Sequence, residues 1–398
     1  MESKKGIGFT LQDYEDAFDE KMMPRGGRFD IDTLEIEDQV LFHRFKSNAQ
    51  NFIDQVKTRP EGVIEGMPHV HFDFINNPNF NATAFIHKGK EFIGFNYGLI
   101  LMVYEIFNRI LSSPKIFPDL GNVELEHEHE KLPVLTPNFE VVRDQYEEKK
   151  YSPYVYPVDE TRSYYANDLA DLALNFLLLH EIAHLRYGHL SYVNHKMGMD
   201  FIMEFDGEIE RKINPLTNKL LEWNADNWAN ETEAGIVYEC FQRNMFQSDI
   251  LNKSTGSLDQ AIHAWLFTVS VLHRLSAGVR RLGNLGPPEH YPSPLERHLT
   301  SIIMSEVGIR MSKPNYGDEV SLNDLFTLNN LAVNSSEKGL ELIFEHDQFL
   351  DDLIEAIMDA NKQESDFFEL FKKDFREKIR PELVSFARAN DLDKSEGR

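Results

Sequence analysis

Residues 169–188 read LADLALNFLLLHEIAHLRYG, and the reading of this stretch decides the fold. Leu169, Leu172, Ala173, Phe176, Leu177 and Leu179 recur at helical spacing, with Asp168 and Asp171 on the other side. The spacing predicts a buried helix that ends in His180-Glu181-Ile182-Ala183-His184. Residues four apart share a helix face, one turn apart, so both imidazoles reach one point from the same side. Glu181 projects beside that point. Two neutral imidazole nitrogens with a carboxylate nearby are what a catalytic zinc takes. Histidines ending a buried stripe would be costly if they met only hydrocarbon. Gly188, after Tyr187, falls where such a helix ends. His189 reads as a third histidine of the same helix, turned away from the metal face toward an outer or surface position.

A catalytic zinc needs a third protein ligand and one open position. Glu222-Trp223-Asn224-Ala225-Asp226 supplies it from a second predicted helix, about 216–244. Glu222 and Asp226 share a face there, and Ala225 is small where one helix must approach the other. Glu222 is expected to ligate the metal. Asp226 is expected to accept a hydrogen bond from the second nitrogen of a ligand histidine, which fixes its tautomer. Trp223 and Trp228 mark the helix as packed rather than as a solvated acidic face. The set of two histidines and one glutamate favours Zn2+ over Mn or Fe.

H-E-x-x-H followed by E-x-x-A-D on a later helix resembles the gluzincin metallopeptidases, and in particular the class of the CAAX prenyl and heat-shock membrane proteases. It is similar also to the soluble Lit-type phage-exclusion peptidases of bacteria. Upstream, residues 79–85 and 91–96 read as two strands around a turn at Lys88-Gly89-Lys90, followed by an apolar helix over 98–111. This resembles the strand pair and helix of that class. Downstream, His290-Tyr291-Pro292-Ser293-Pro294-Leu295-Glu296-Arg297 resembles its H-P-S-x-x-x-R segment, with Tyr291 inserted. The resemblance covers roughly 68–305. It implies a zincin-like core and makes His290, Tyr291 and Arg297 candidates for stabilising the oxyanion or orienting the site. A sheet edge at residues 80–96 would suit an extended peptide adding as a strand, and a plain core hairpin fits the pattern equally well.

Composition points to a soluble enzyme. The formal net charge is −25, from 41 Lys+Arg against 66 Asp+Glu. Nucleic-acid and anionic-membrane binding both need a basic surface, so neither is expected as a partner. Cys240 is the sole cysteine, which suits a reducing compartment such as a bacterial cytoplasm. Met1 to Arg25 is polar and charged and reads as no signal peptide. The most apolar stretch, 92–111, carries Asn96, Glu105 and Asn108, so no membrane span is expected. A soluble protein substrate is therefore favoured over a membrane-embedded one. His69, His71 and His87 read as surface or core histidines, and the tract Glu124 to Glu130 as a solvated acidic loop.

The chain divides, on pattern, into a weakly ordered N-terminus (1–35), a metallopeptidase domain (36–305) and a helical C-terminal region (306–398). Ile36 to Val63 predicts an introductory helix, and the prolines of 114–160 a surface insertion. Further helices are expected over 257–281 and from Leu295 onward, with an interruption at 308–321. Phe367, Phe368, Leu370, Phe371 and Phe375 give the last segment an apolar face. The fold expected is mainly α with a small antiparallel β-sheet (α+β). The function expected is a zinc metalloendopeptidase in which Glu181 is the general base toward a zinc-activated water. Two alternatives remain from the sequence. One is a latent defence- or toxin-type protease with one host protein target and an activating partner. The other is a non-catalytic metal-binding regulatory protein.

Overall fold

The computed structural model describes residues 9–34, 36–58, 69–132, 155–198, 201–203, 213–243, 257–282, 291–312, 322–344 and 372–387. It is a mostly helical α+β protein whose small sheet is mixed rather than purely antiparallel. The strands are β1 (Val70–Ile75), β2 (Ala82–His87), β3 (Lys90–Asn96) and β4 (Phe201–Met203), in the order β1-β3-β2-β4. β2 and β3 form the expected hairpin. Its two turn residues, Lys88 (φ 50°) and Gly89 (φ 73°), both take the left-handed conformation that a tight hairpin of this twist requires. β1 runs parallel to β3, with Phe72 opposite Ile93 and Phe74 opposite Phe95.

Both faces of the sheet are covered. On one face lie Phe72, Phe74 and Phe95, packed by Phe42 and Phe45 of helix α2 (Ile36–Thr58). On the other lie Phe85 and Phe92, packed by Tyr14 and Phe18 of helix α1 (Leu11–Met22). The N-terminus expected to be weakly ordered thus holds a docked helix. Thr10 caps it by accepting from the Asp13 N–H, while the Asp13 carboxylate accepts from the Thr10 N–H. Polar His71 and Asp73 of β1 are buried, and Asp73 is held by Lys46 at 2.7 Å. Burial pushes the Asp73 carboxyl up, but hydrogen bonds from His71 and Lys46 hold it below its ordinary value.

Helices α3 (Tyr97–Leu111), α4 (Glu160–Arg186), α5 (His189–Met197), α6 (Pro215–Arg243), α7 (Leu258–Leu282), α8 (Pro294–Ser312) and α9 (Leu322–Ile343) carry the main core. The start of α4 is fixed twice. The Asp159 carboxylate accepts from the N–H of Arg162 at 3.0 Å. The Arg162 guanidinium donates to the carbonyls of Leu111, Ser113, Ile116, Phe117 and Leu120, which ties α4 to the end of α3. Glu126 belongs to the tract expected to be solvated, yet it is buried and accepts from the N–H groups of Val158 and Asp159. Of the interruption expected over 308–321, residues 308–312 still belong to α8, and 313–321 lie outside the described residues. A Cβ on Gly308 would lie 2.0 Å from the Glu231 carbonyl oxygen, so the glycine lets α8 approach α6. Phe375 is buried in the C-terminal segment 372–387, whereas 367–371 lie outside the described residues.

Candidate metal centre

The sequence folds so that α4 and α6 present one face each to a common point. On α4, burial of Leu169, Ala173, Phe176, Leu177 and Leu179 fixes the rotation of the helix, and His180 and His184 follow on it one turn apart. On α6, Glu222 and Asp226 do the same, and fully buried Ala225 leaves room between the helices. His180, Glu181, His184, Glu222 and Asp226 are all buried.

One ligand atom each from His180, His184 and Glu222 lies within 4.8 Å of the others. Nε2 of His180 is 3.0 Å from Nε2 of His184 and 3.2 Å from a Glu222 oxygen, and His184 Nε2 is 3.8 Å from the second Glu222 oxygen. Bonds of about 2.0–2.2 Å to a tetrahedral zinc would separate its ligand atoms by roughly 3.3 Å, so the donor set fits that ion in chemistry and in spacing. Behind the point, His180 Nδ1–H donates to Asp226 Oδ1 at 2.9 Å.

Burial works against a charged His180, yet hydrogen bonds to Asp226 and Glu222 hold its imidazolium well above the ordinary range. His184 and His189 are pushed well below it, by burial first and by neighbouring histidines second. Burial pushes the Asp226 carboxyl up, but the Arg297 charge and the His180 hydrogen bond bring it below its usual value, so it stays ionised.

Of the residues singled out from sequence, the structure brings together His180, His184, Glu222 and Asp226, and adds Arg297. Arg297 lies against the carboxylate of Asp226. Its Nε lies 3.0 Å from Asp226 Oδ2. Glu181 sits buried beside the ligands on α4. Tyr291 is buried three residues ahead of α8, and His290 lies outside the described residues. The edge of β2 that a substrate strand might have used is paired with β4, and β3 is flanked on both sides.

Two groups were missed, and one named residue was set on the wrong helix. His189 is not on the motif helix: Gly188 (φ 72°) ends α4, and His189 opens α5, which swings its imidazole back to 3.0 Å from His184. The signal was present in Gly188, whose place at a helix end permits such a reversal. Asn224, two residues from Glu222, accepts from His189 at 3.0 Å. His273 and His298 lie buried beside Arg297, with ring centroids 5.6 Å apart, and nothing local in the sequence marks them.

Over residues 122–235 the chain is similar to a protein family described as Peptidase U49. The matched span contains His180, Glu181, His184, Glu222 and Asp226 and stops short of Arg297. This similarity supports a peptidase. No curated protein and no solved structure matches the chain. Among the described residues, no helix is long and apolar enough to cross a membrane.

Proposed function

We propose that the chain is a zinc-dependent metalloendopeptidase that cleaves a soluble protein. The observation that carries this reading is the meeting of His180, His184 and Glu222 within 4.8 Å, inside the span similar to a peptidase family. Zinc, when bound, supplies the positive charge that acidifies a water and polarises a carbonyl. Glu181 takes the proton from the attacking water and passes it to the leaving amine. Asp226 holds His180 with its Nε2 lone pair turned inward, and Arg297 keeps Asp226 ionised. His290 and Tyr291 remain the proposed donors to the oxyanion. The net charge of −25 favours a substrate segment that is basic.

A second reading draws on one observation. Glu181 is only 2% exposed, and the three candidate ligands 1–2%, so little of the donor set meets solvent. That favours a protease at rest, opened by an activating partner, as the resemblance to phage-exclusion peptidases would have it. The helical C-terminal region is the part proposed to sense that partner.

Metal content measured by mass spectrometry on wild type, Glu222→Ala and Glu181→Gln tests the main reading. About one zinc per chain is expected in wild type and in Glu181→Gln, with loss in Glu222→Ala. Cleavage of cell-extract proteins, read as new N-termini, should require Glu181. Wild type that takes up no zinc would end the metalloenzyme reading. Cleavage that survives Glu181→Gln would end the role given to Glu181.

A further inference from the structure

A hydrogen-bonded line runs from His184 to α6 through a residue of α5. Nδ1 of His184 lies 3.0 Å from Nδ1 of His189, and Nε2 of His189 lies 3.0 Å from the side-chain oxygen of Asn224. His184 and His189 are both buried, and Asn224 is half-buried.

Two imidazole nitrogens facing each other at hydrogen-bond distance share one proton, so the polarity of the whole line follows from its far end. The Asn224 carbonyl oxygen only accepts, so His189 Nε2–H donates to it. Neutral His189 then has a bare Nδ1, which accepts from His184 Nδ1–H. His184 is left with its lone pair on Nε2, the atom 3.0 Å from His180 Nε2 and 3.8 Å from Glu222. The reverse polarity, with the Asn224 amide NH2 turned to donate, would put the His184 proton on Nε2 and remove the ligand lone pair.

We propose that His189 and Asn224 are positioning residues that hold His184 as its Nδ1–H tautomer, with Nε2 free to ligate zinc. This inference rests on the metalloenzyme reading above. Each ligand histidine then has its outer nitrogen held by a two-residue chain. For His180 the chain is Asp226 and Arg297, an anion and a cation; for His184 it is His189 and Asn224, both neutral. Neither chain adds net charge around the ion. An aspartate or glutamate in place of His189 would add one, and would blunt the polarising power of a bound dication. Gly188 makes the second chain available. Its left-handed φ of 72° turns α5 back so that the residue after it faces His184.

The test is the tautomeric state of the full chain, freed of zinc and labelled with 15N in its histidines. Long-range 1H–15N correlations report which ring nitrogen carries the proton, with His184 and His189 assigned from His184→Gln and His189→Phe. Wild type is expected to show Nδ1–H at His184 and Nε2–H at His189. Asn224→Leu removes the acceptor, so both tautomers of His184 should appear. Zinc affinity, measured with zinc alone against a chelator, should fall by about 10–100-fold. Asn224→Asp keeps an acceptor oxygen and should restore the wild-type tautomer. A wild-type His184 with its proton on Nε2 overturns the proposal. So does a folded Asn224→Leu with tautomer and affinity unchanged. If Asn224→Leu does not fold, the wild-type tautomers decide alone. Wild type with the expected tautomers but no zinc uptake would instead overturn the metalloenzyme reading, and with it the purpose of the line.

Discussion

Nε of Arg297 stands 3.0 Å from Oδ2 of Asp226, the carboxylate whose other oxygen accepts from His180 at 2.9 Å. A residue of α8 therefore reaches through to the outer side of the candidate metal centre. The arrangement is possible because α8 lies close on α6. Gly308 admits the Glu231 carbonyl, and Lys219 meets Glu296 at 2.6 Å near the start of both helices. Asp226 is 1% exposed, so without a counter-charge its anion would be expensive. Arg297 joins the packing of α8 to the protonation of the site.

Replacing Arg297 by Met should leave a buried carboxylate facing hydrocarbon. Breaking a buried ion pair from one side costs about 3–5 kcal/mol. Urea unfolding should register a loss of that order, with part of it recovered in Arg297→Lys, which keeps the charge but not the planar guanidinium. Zinc retention should weaken alongside, since His180 loses its ionised partner. Superimposable unfolding curves for wild type and Arg297→Met would show that the pair contributes nothing.

Glu233, about two turns beyond Asp226 on α6, makes a pH-dependent contribution. Burial pushes its carboxyl up to about 8, against a lowering hydrogen bond from Trp265 Nε1–H at 2.9 Å. The folded value lies above the unfolded one of about 4.3, so the folded chain holds a proton that the unfolded chain gives up between these limits. Its stability contribution is full below pH 4.3 and is lost as pH rises through 8. Glu233→Gln keeps an acceptor for Trp265 without the proton. Its melting temperature should match wild type near pH 4.5 and exceed it increasingly toward pH 8. Parallel profiles across that range would remove the effect.

His298 has the opposite sign. Burial, and then the charges of Arg274 and Arg297, push it down to about 3. The unfolded histidine takes a proton near 6.5, so this contribution is complete above that value and is lost as pH falls through 3. His298→Gln should flatten the acid side of the stability profile between those limits and leave the alkaline side alone. An acid limb as steep as that of wild type would exclude His298 as its source.

The cluster that could hold a metal was legible in the sequence because its residues lie on two helices, and helical spacing fixes which side chains share a face. Glu222 and Asp226 were readable for that reason, as were His180 and His184. His189 was misplaced because the helix was carried past Gly188, where the left-handed residue reverses the chain. Arg297 was singled out, but its partner belongs to another helix, and no local pattern distinguishes a guanidinium aimed at a carboxylate from one aimed at a substrate. β1 was passed over although Val70-His71-Phe72-Asp73-Phe74 alternates apolar and polar residues; with α1 on one face of the sheet and α2 on the other, the polar His71 and Asp73 are buried as well. α1 was not expected, although Thr10 and Asp13 form a capping box at its start.

The C-terminal segment offers the last prediction, and Gly188 is the point from which to test it. A π-helical turn, Phe375–Ile379, leads into a short helix, Arg380–Leu383, that lies against α5. Glu382 pairs with Lys196 at 2.9 Å and accepts from the Tyr192 hydroxyl, while Phe386 packs on Tyr192 and His195. Phe375 packs on Trp223, the neighbour of Glu222, with centroids 5.9 Å apart. The segment thus touches the elements that carry both His189 and Glu222. A Cβ on Gly188 would lie 2.3 Å from the Phe386 carbonyl oxygen, and φ of 72° disfavours any side chain there by about 1–2 kcal/mol. Gly188→Ala should therefore lift residues 372–387 from α5 before the rest of the fold responds. Hydrogen exchange should rise first in that segment and in α5, with α3, α7 and α9 still protected. If the segment restrains the metal centre, zinc exchange with a chelator should quicken in the same variant. Exchange that rises evenly over the whole chain would instead mean that Gly188→Ala weakens the fold as a unit, with no separate response of the C-terminal segment.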